Sequence, residues 1–233
     1  MTIDTFNALP VVRGSAWPGL EYFTTTRHSL NADELAQQFP SPPFYLQQVH
    51  GTHVAVAPAS PKAQKPTADA AISTQSGRVL AIVTADCMPV VIADPQRGVL
   101  GVAHAGWRGL AGGVLENTIA AMRRAINNAS NPSQLQLRAW IGPSIRQPSY
   151  EVGGDVYHAF VNQQPDFARY FQAGQKADKW QADLAGIAKT ILQQQGVEAV
   201  EISPYCTYEN DHYFYSYRRA PQTGRMVTAA WLL

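Results

Sequence analysis

The sequence predicts an α/β protein, a single domain of mixed β-sheets flanked by helices. Near-continuous β-branched runs at residues 79–83, 90–93 and 99–103 suit strands buried on both faces. Apolar residues recur at helical spacing in Leu115, Ile119, Met122 and Ile126, and again in Trp180, Leu184, Ile187 and Ile191. The 233 residues are 45% hydrophobic and 15% charged, which is enough apolar mass for one large core and too little charge for disorder.

The elements follow in order. Residues 21–26 read as a strand. Asn31, with Glu34 three residues on, resembles a capping box opening a helix toward Phe39, which Pro40, Pro42 and Pro43 end. Residues 44–49 and 53–57 are strand-like, with Gly51-Thr52 as the turn between them, and 59–67 is a Pro- and Lys-containing loop. The turn at 94–98 joins the second and third apolar runs into a hairpin. A helix over 110–127 carries Arg123 and Arg124 near its C-terminus, where the dipole favours cations. Residues 135–141 form a strand, and the helix through Trp180 stops at Gly196. Residues 200–203, 213–217 and 226–231 complete the strands.

Composition narrows the function. Eighteen basic and seventeen acidic residues leave a net charge of +1, so no basic excess points to nucleic acid. Two cysteines, Cys87 and Cys206, cannot build a disulfide framework and fit a reducing, cytoplasmic setting. Residues 1–20 lack the pattern of a secretory leader, and the most apolar run is shorter than the ~20 residues of a membrane span. A soluble protein is expected.

Three polar positions stand at the ends of apolar strands: His50, Asp86-Cys87 and His104. Strand ends are where an α/β sheet presents chemistry to a crevice. Two imidazoles and one thiolate suit a catalytic metal with an open fourth position. The same atoms also suit a Cys87 nucleophile with His104 as its base. Gly106-Trp107-Arg108-Gly109-Leu110-Ala111-Gly112-Gly113 leads into a helix. It reads either as an anion site or as a stretch whose glycines permit tight packing. It is neither a dinucleotide fingerprint nor a P-loop. The block Tyr213-Phe214-Tyr215-Ser216-Tyr217-Arg218-Arg219 reads as an aromatic, basic strand with only one of its two arginines facing a pocket. Arg27 is a further anion clamp, and His53 a candidate fourth metal ligand.

These segments together resemble the YfiH/YlmD family, once labelled multicopper polyphenol oxidase or laccase domain. Gln48-Val49-His50-Gly51, Thr84-Ala85-Asp86-Cys87-Met88-Pro89 and His104-Ala105-Gly106-Trp107-Arg108-Gly109 match its three signatures. Ala68-Asp69-Ala70, Ile141-Gly142-Pro143-Ser144-Ile145, Tyr150-Glu151-Val152-Gly153 and Ser216-Tyr217-Arg218-Arg219 with Thr223-Gly224-Arg225 follow in the same order. The resemblance covers about residues 20 to 230 and implies a fold similar to the catalytic domain of cytotoxic necrotizing factor. It implies one zinc ion on His50, Cys87 and His104. It also implies phosphorolysis of adenosine, inosine, guanosine and methylthioadenosine, with inorganic phosphate as co-substrate and adenosine deamination alongside. Asp86, Asp69 and Arg27 are then the expected catalytic residues, and Arg108, Gly109, Arg218 and Arg219 the substrate-binding ones. The expected partners are purine nucleosides and phosphate, with no nucleic acid or membrane, in a monomer or weak homodimer. A Cys–His hydrolase and a peptidoglycan-precursor editing factor are the alternatives. A laccase-type copper oxidase needs more ligands than one His–Cys–His set, and the chain has six His and two Cys in all. Two departures from the family pattern stand out. His28-Ser29-Leu30-Asn31 replaces a glycine-rich turn, and Ala220-Pro221 replaces an Asp after Arg219.

Overall fold

The computed structural model describes residues 3–30, 32–58, 64–126 and 135–233, with the side chains of 32 and 33 left aside. The chain runs β1 (Asp4–Phe6), β2 (Leu9–Val12), β3 (Leu20–Thr25), α1 (Ala32–Ala36), β4 (Val54–Val56), β5 (Ala70–Ser73), β6 (Leu80–Thr84), β7 (Met88–Asp94) and β8 (Val99–Ala105). It continues through α2 (Trp107–Ala111), α3 (Val114–Ile126), β9 (Arg138–Ile141), β10 (Glu151–Gly153), α4 (Gly154–Val161), β11 (Phe171–Ala173), β12 (Lys179–Ala182), α5 (Leu184–Gln194), β13 (Ala199–Ile202) and β14 (Met226–Leu232).

Two large sheets stack face to face. One is antiparallel in the order β1-β2-β3-β14-β6; the other is mixed in the order β13-β9-β7-β8-β5-β4. Period-2 alternation sorts their side chains between three apolar layers. Leu80 and Ile82 of β6, Met226 and Ala230 of β14, Val91 of β7 and Val102 of β8 fill the space between the sheets. Val90, Ile92 and Ala103 point to the far side of the mixed sheet, against Leu115, Ile119 and Met122 of α3 and Ile187 and Ile191 of α5. Val11, Phe23 and Trp231 cover the other outer face with Leu35 and Phe39. Gly101 lets α3 approach, because a Cβ there would stand 2.9 Å from both Met122 Sδ and Thr118 Cγ2. A small third sheet, β10-β12-β11, flanks α4.

The central expectations hold. β7 and β8 form the antiparallel hairpin, with register Val90↔Ala103 and a turn closed by Gly98 at φ +63°. Several expectations are corrected. Residues 213–217 form turns and irregular backbone, because Asp86 and Arg219 capture the segment's polar groups. Residues 44–49 are extended but bridged only at Phe44 and Gln47. Trp180 belongs to β12, stacked on Tyr157 at 4.1 Å; the helix starts at Leu184 because the Asp183 carboxylate accepts the Gly186 N–H at 2.9 Å. The expected helix over 110–127 is broken at Gly112 and Gly113, the latter at φ +95°, into α2 and α3. His104 lies inside β8, not past its end. Asn31, residues 59–63 of the expected loop and Asn127 lie outside the described residues.

Candidate metal centre

The metal-capable group sits where the two large sheets meet. β6 belongs to one sheet and β7 to the other, so the turn between them carries Cys87 across the seam. His104 comes from the end of β8. His50 comes from the loop before β4. The ligand atoms of His50, Cys87 and His104 lie within 4.8 Å of one another, with Cys87 Sγ 3.9 Å from His50 Nε2. The two imidazoles meet edge to face at 4.8 Å. Among the described residues this is the one such group, and His53 is not part of it.

Asp69 builds the group. Its side chain is fully buried just before β5. One oxygen accepts the His50 N–H at 2.9 Å and faces His104 Nδ1 at 2.8 Å; the other accepts the Val49 and Gly51 N–H groups at 3.1 and 2.7 Å. Its carbonyl also accepts the His104 N–H at 2.7 Å. This cradle holds His50 at φ +60°, an uncommon conformation for a residue with a side chain. It also directs His104 Nε2 outward, as a buried carboxylate behind a metal-ligating histidine does. Burial raises the Asp69 carboxyl, but His104 and the Gly51 and Val49 amides outweigh it and hold it below the ordinary range. Burial likewise lowers His104, yet its bonds to Asp69 and Cys87 raise it to about 9. At Cys87 burial pushes the thiol up, and hydrogen bonds with His104 and His50 prevail and bring it to about 7. The donor set without a metal is thus a readily ionised thiol paired with a protonated His104 and flanked by His50; a metal ion taking the place of the proton between them fits it.

The glycines of the 106–113 stretch answer the packing reading. A Cβ on Gly106 would lie 2.9 Å from His50 Cδ2 and 3.0 Å from Cys87 Sγ. A Cβ on Gly109 would stand 2.9 Å from the Gly51 carbonyl oxygen, and one on Gly112 would stand 2.8 Å from Thr52 Cγ2. Gly109 and Gly112 let α2 lie flat on the His50 loop, while Gly106 leaves room for the ligands themselves.

Around this group stand Arg108, exposed and 4.3 Å over the Trp107 ring, and Arg218, 5.1 Å over the Tyr150 ring. Tyr150 is half-buried; burial raises its phenol, and the charges of Cys87, Arg218, Asp86 and Arg108 act on it. Reading the sequence for titratable strand ends missed Tyr150, whose only signal was its place in a family motif. Asp86, next to Cys87, is nearly buried at φ +96°, with its carboxylate bonded to Thr207, Ser216 and the Arg218 amide. The two C-terminal arginines part ways. Arg218 is exposed, while the Arg219 guanidinium turns inward onto the carbonyls of Thr207, Tyr208 and Phe214. Arg219 therefore orients itself without an acidic neighbour at 220. Arg27 joins the same segment: its guanidinium bonds the Asp211 carbonyl at 2.8 Å and lies 5.3 Å over Tyr215. The turn after it needs no glycine, because the Ser29 hydroxyl accepts the Thr26 N–H and the Thr26 hydroxyl accepts the His28 N–H.

Fold and site together define a mixed α/β protein with a His–Cys–His group between two sheets. The family described as "Multi-copper polyphenol oxidoreductase laccase" matches residues 26–233, and the chain belongs to it. A "Purine nucleoside phosphorylase" of Xylella fastidiosa is 41% identical over 210 residues, covering 87% of this chain and 77% of that protein. "Purine nucleoside phosphorylase YfiH" of Escherichia coli is 40% identical over 198 residues, covering 85% and 77%. A crystal structure of a Neisseria meningitidis protein shares 35% identity at TM-score 0.85, covering 96% of this chain and 98% of its own. YfiH of Bacillus licheniformis shares 26% at TM-score 0.79, covering 93% and 94%. No described helix is long and apolar enough to cross a membrane.

Proposed function

We propose that this protein is a zinc-dependent purine nucleoside phosphorylase. The observation that carries the reading is the Asp69-braced His50–Cys87–His104 group, in a chain about 40% identical to proteins that bear that name. Zinc, with bonds of about 2.0–2.3 Å, needs ligands roughly 3.5 Å apart; Cys87 Sγ and His50 Nε2 are 3.9 Å apart and the whole group lies within 4.8 Å, so the ligands would close by about an ångström or less. His50, Cys87 and His104 would hold the ion, and a bound zinc would supply Lewis acidity to the reacting nucleoside. In phosphorolysis, phosphate displaces the purine from the anomeric carbon of the nucleoside. Arg108 and Arg218, both exposed beside the group, bind the phosphate; Tyr150, its phenol held protonated by burial, donates to the substrate. Asp69 orients His50 and His104 and carries no proton to substrate, since all of its surface is buried. Gly109, Arg219 and Arg27 shape the walls instead of touching substrate. Adenosine, inosine, guanosine and methylthioadenosine are the substrates, with adenosine deamination as a second output, in a cytoplasmic monomer or weak homodimer.

The test is product analysis by mass spectrometry. Zinc-loaded protein is incubated with adenosine, with and without phosphate, beside His104→Ala. Adenine and ribose phosphate that require phosphate, and inosine that does not, are expected from the native protein alone. No turnover of adenosine, inosine or methylthioadenosine overturns the reading.

A second reading has its own observation. Cys87 at about 7 in contact with His104 is also the pair of a cysteine hydrolase, of the kind whose fold cytotoxic necrotizing factor represents. Such an enzyme acting on amides of peptidoglycan precursors keeps its thiol reactive with zinc present, whereas a zinc-held thiol is shielded from alkylation.

A further inference from the structure

We infer that Asp86 is a positioning residue, setting the Arg218 guanidinium against Tyr150 at the edge of the Cys87 group, and is not a proton carrier. Asp86 occupies the turn that crosses from β6 to β7. Its Oδ1 accepts the Thr207 hydroxyl at 2.6 Å. Its Oδ2 accepts the Ser216 hydroxyl at 3.0 Å and the Arg218 N–H at 2.7 Å. Its carbonyl accepts the Ile145 N–H at 2.9 Å. A general acid or base needs an oxygen aimed at the substrate. Both oxygens of Asp86 are instead spent on donors from segments more than a hundred residues away in the chain.

What these bonds accomplish is placement. The Arg218 backbone is pinned to the residue before Cys87, and its guanidinium reaches the Glu151 carbonyl at 2.9 Å and covers the Tyr150 ring. Among the described residues that is the guanidinium's one hydrogen bond, so most of its five N–H donors remain for an anion. Asp86 sits at φ +96° in the turn out of β6, and from there its carboxylate bonds Ser216 and the Arg218 N–H.

The geometry separates two substitutions. Asparagine tolerates positive φ and fits the bond pattern: its amide nitrogen can donate to Thr207, whose hydroxyl rotates to accept, while its oxygen keeps Ser216 and Arg218. Glycine also tolerates the backbone but removes every side-chain bond.

The activity arm rests on the phosphorolysis reading. Asp86→Asn is expected to keep both kcat and the phosphate KM within about threefold of native. Asp86→Gly is expected to raise the phosphate KM about tenfold, as Arg218→Ala does, and the two together should raise it no further. Zinc content is measured in each. A loss of kcat by about a hundredfold or more in Asp86→Asn, with KM and zinc unchanged, overturns the inference in favour of a proton carrier. A second arm needs no turnover. Amide hydrogen exchange at Arg218 should accelerate at least about tenfold in Asp86→Gly and stay near native in Asp86→Asn. If the native protein shows no phosphorolysis, that function falls and exchange alone decides: native-like exchange at Arg218 in Asp86→Gly overturns the positioning role. Should Asp86→Gly not fold, Asp86→Ala takes its place in the exchange arm, and the kcat of Asp86→Asn decides between the two roles.

Discussion

The ligand-bearing segments and the C-terminal segment 213–219 face each other across one site, yet they are held by opposite means. Cys87 and His104 hang from strand ends whose course is dictated by burial: β6, β7 and β8 are apolar almost throughout, and the His50 loop is tied to them through Asp69. The C-terminal segment has no ladder. It is held by side chains that bond backbone, chiefly Asp86 on the Arg218 N–H and Arg219 on three carbonyls. Strand ends place a ligand through many small packing terms. A looped wall depends on a few charged hubs, so single substitutions there should act locally.

That contrast can be broken at specific residues. The largest effect is expected from Asp69→Ala, which strips three amides and His104 of a buried partner at once. We expect a loss of about 3–5 kcal/mol of stability by denaturant unfolding, together with loss of bound zinc. A milder result, with zinc retained, would mean that the strand ends alone suffice to set the ligands. Gly106→Ala comes next. Its backbone (φ −71°, ψ 165°) suits alanine, so crowding of His50 and Cys87 is the whole effect. Zinc affinity, measured by chelator competition, should fall about 10–100-fold with stability little changed. On the other side of the comparison, Arg219→Ala should cost about 1.5–3 kcal/mol and speed amide exchange across 207–219, while zinc affinity stays within about twofold. Coupled loss of zinc would show that the two regions are one unit. Arg27→Ala is the smallest: on exposed side-chain bonds alone, about 0.5 kcal/mol or less is expected from a melting curve. Alkylation sharpens the contrast from within the site. Cys87 should react at least about tenfold faster after zinc removal, while buried Cys206 stays inert until the protein unfolds.

What was legible follows the same division. The β7–β8 hairpin and the helical faces of α3 and α5 announced themselves because burial imposes a period on the sequence. His50, Cys87 and His104 stood out as polar residues breaking off apolar runs. Residues 213–217 mislead because alternating aromatics imitate a strand, and nothing local reveals that Asp86, about 130 residues earlier, takes the Ser216 hydroxyl and the Arg218 N–H. Trp180 misled by spacing alone; the capping carboxylate of Asp183 was the better sign of where α5 begins. The N-terminal hairpin of β1 and β2 passed unread because its turn, Asn7-Ala8, sits at φ +47° and +67° without the glycine that marks such turns. Asp69 was picked out as a carboxylate, but its task was not visible, since adjacency in sequence says nothing about four partners gathered from two other segments.

The outer edge of β6 has a consequence for how the sheet meets other chains. A terminal strand normally offers unpaired peptide groups on which another chain can template. Here Phe44 takes the Val79 carbonyl and the Ala81 N–H through its backbone, and the Gln48 carboxamide then takes both the N–H and the carbonyl of Val83, at 2.9 and 2.8 Å. A carboxamide carries the same donor and acceptor as a peptide unit, so one glutamine stands in for a further strand and stops the sheet. It does so two residues before His50, and the stopper that denies a foreign strand its foothold also moors the loop that delivers the histidine.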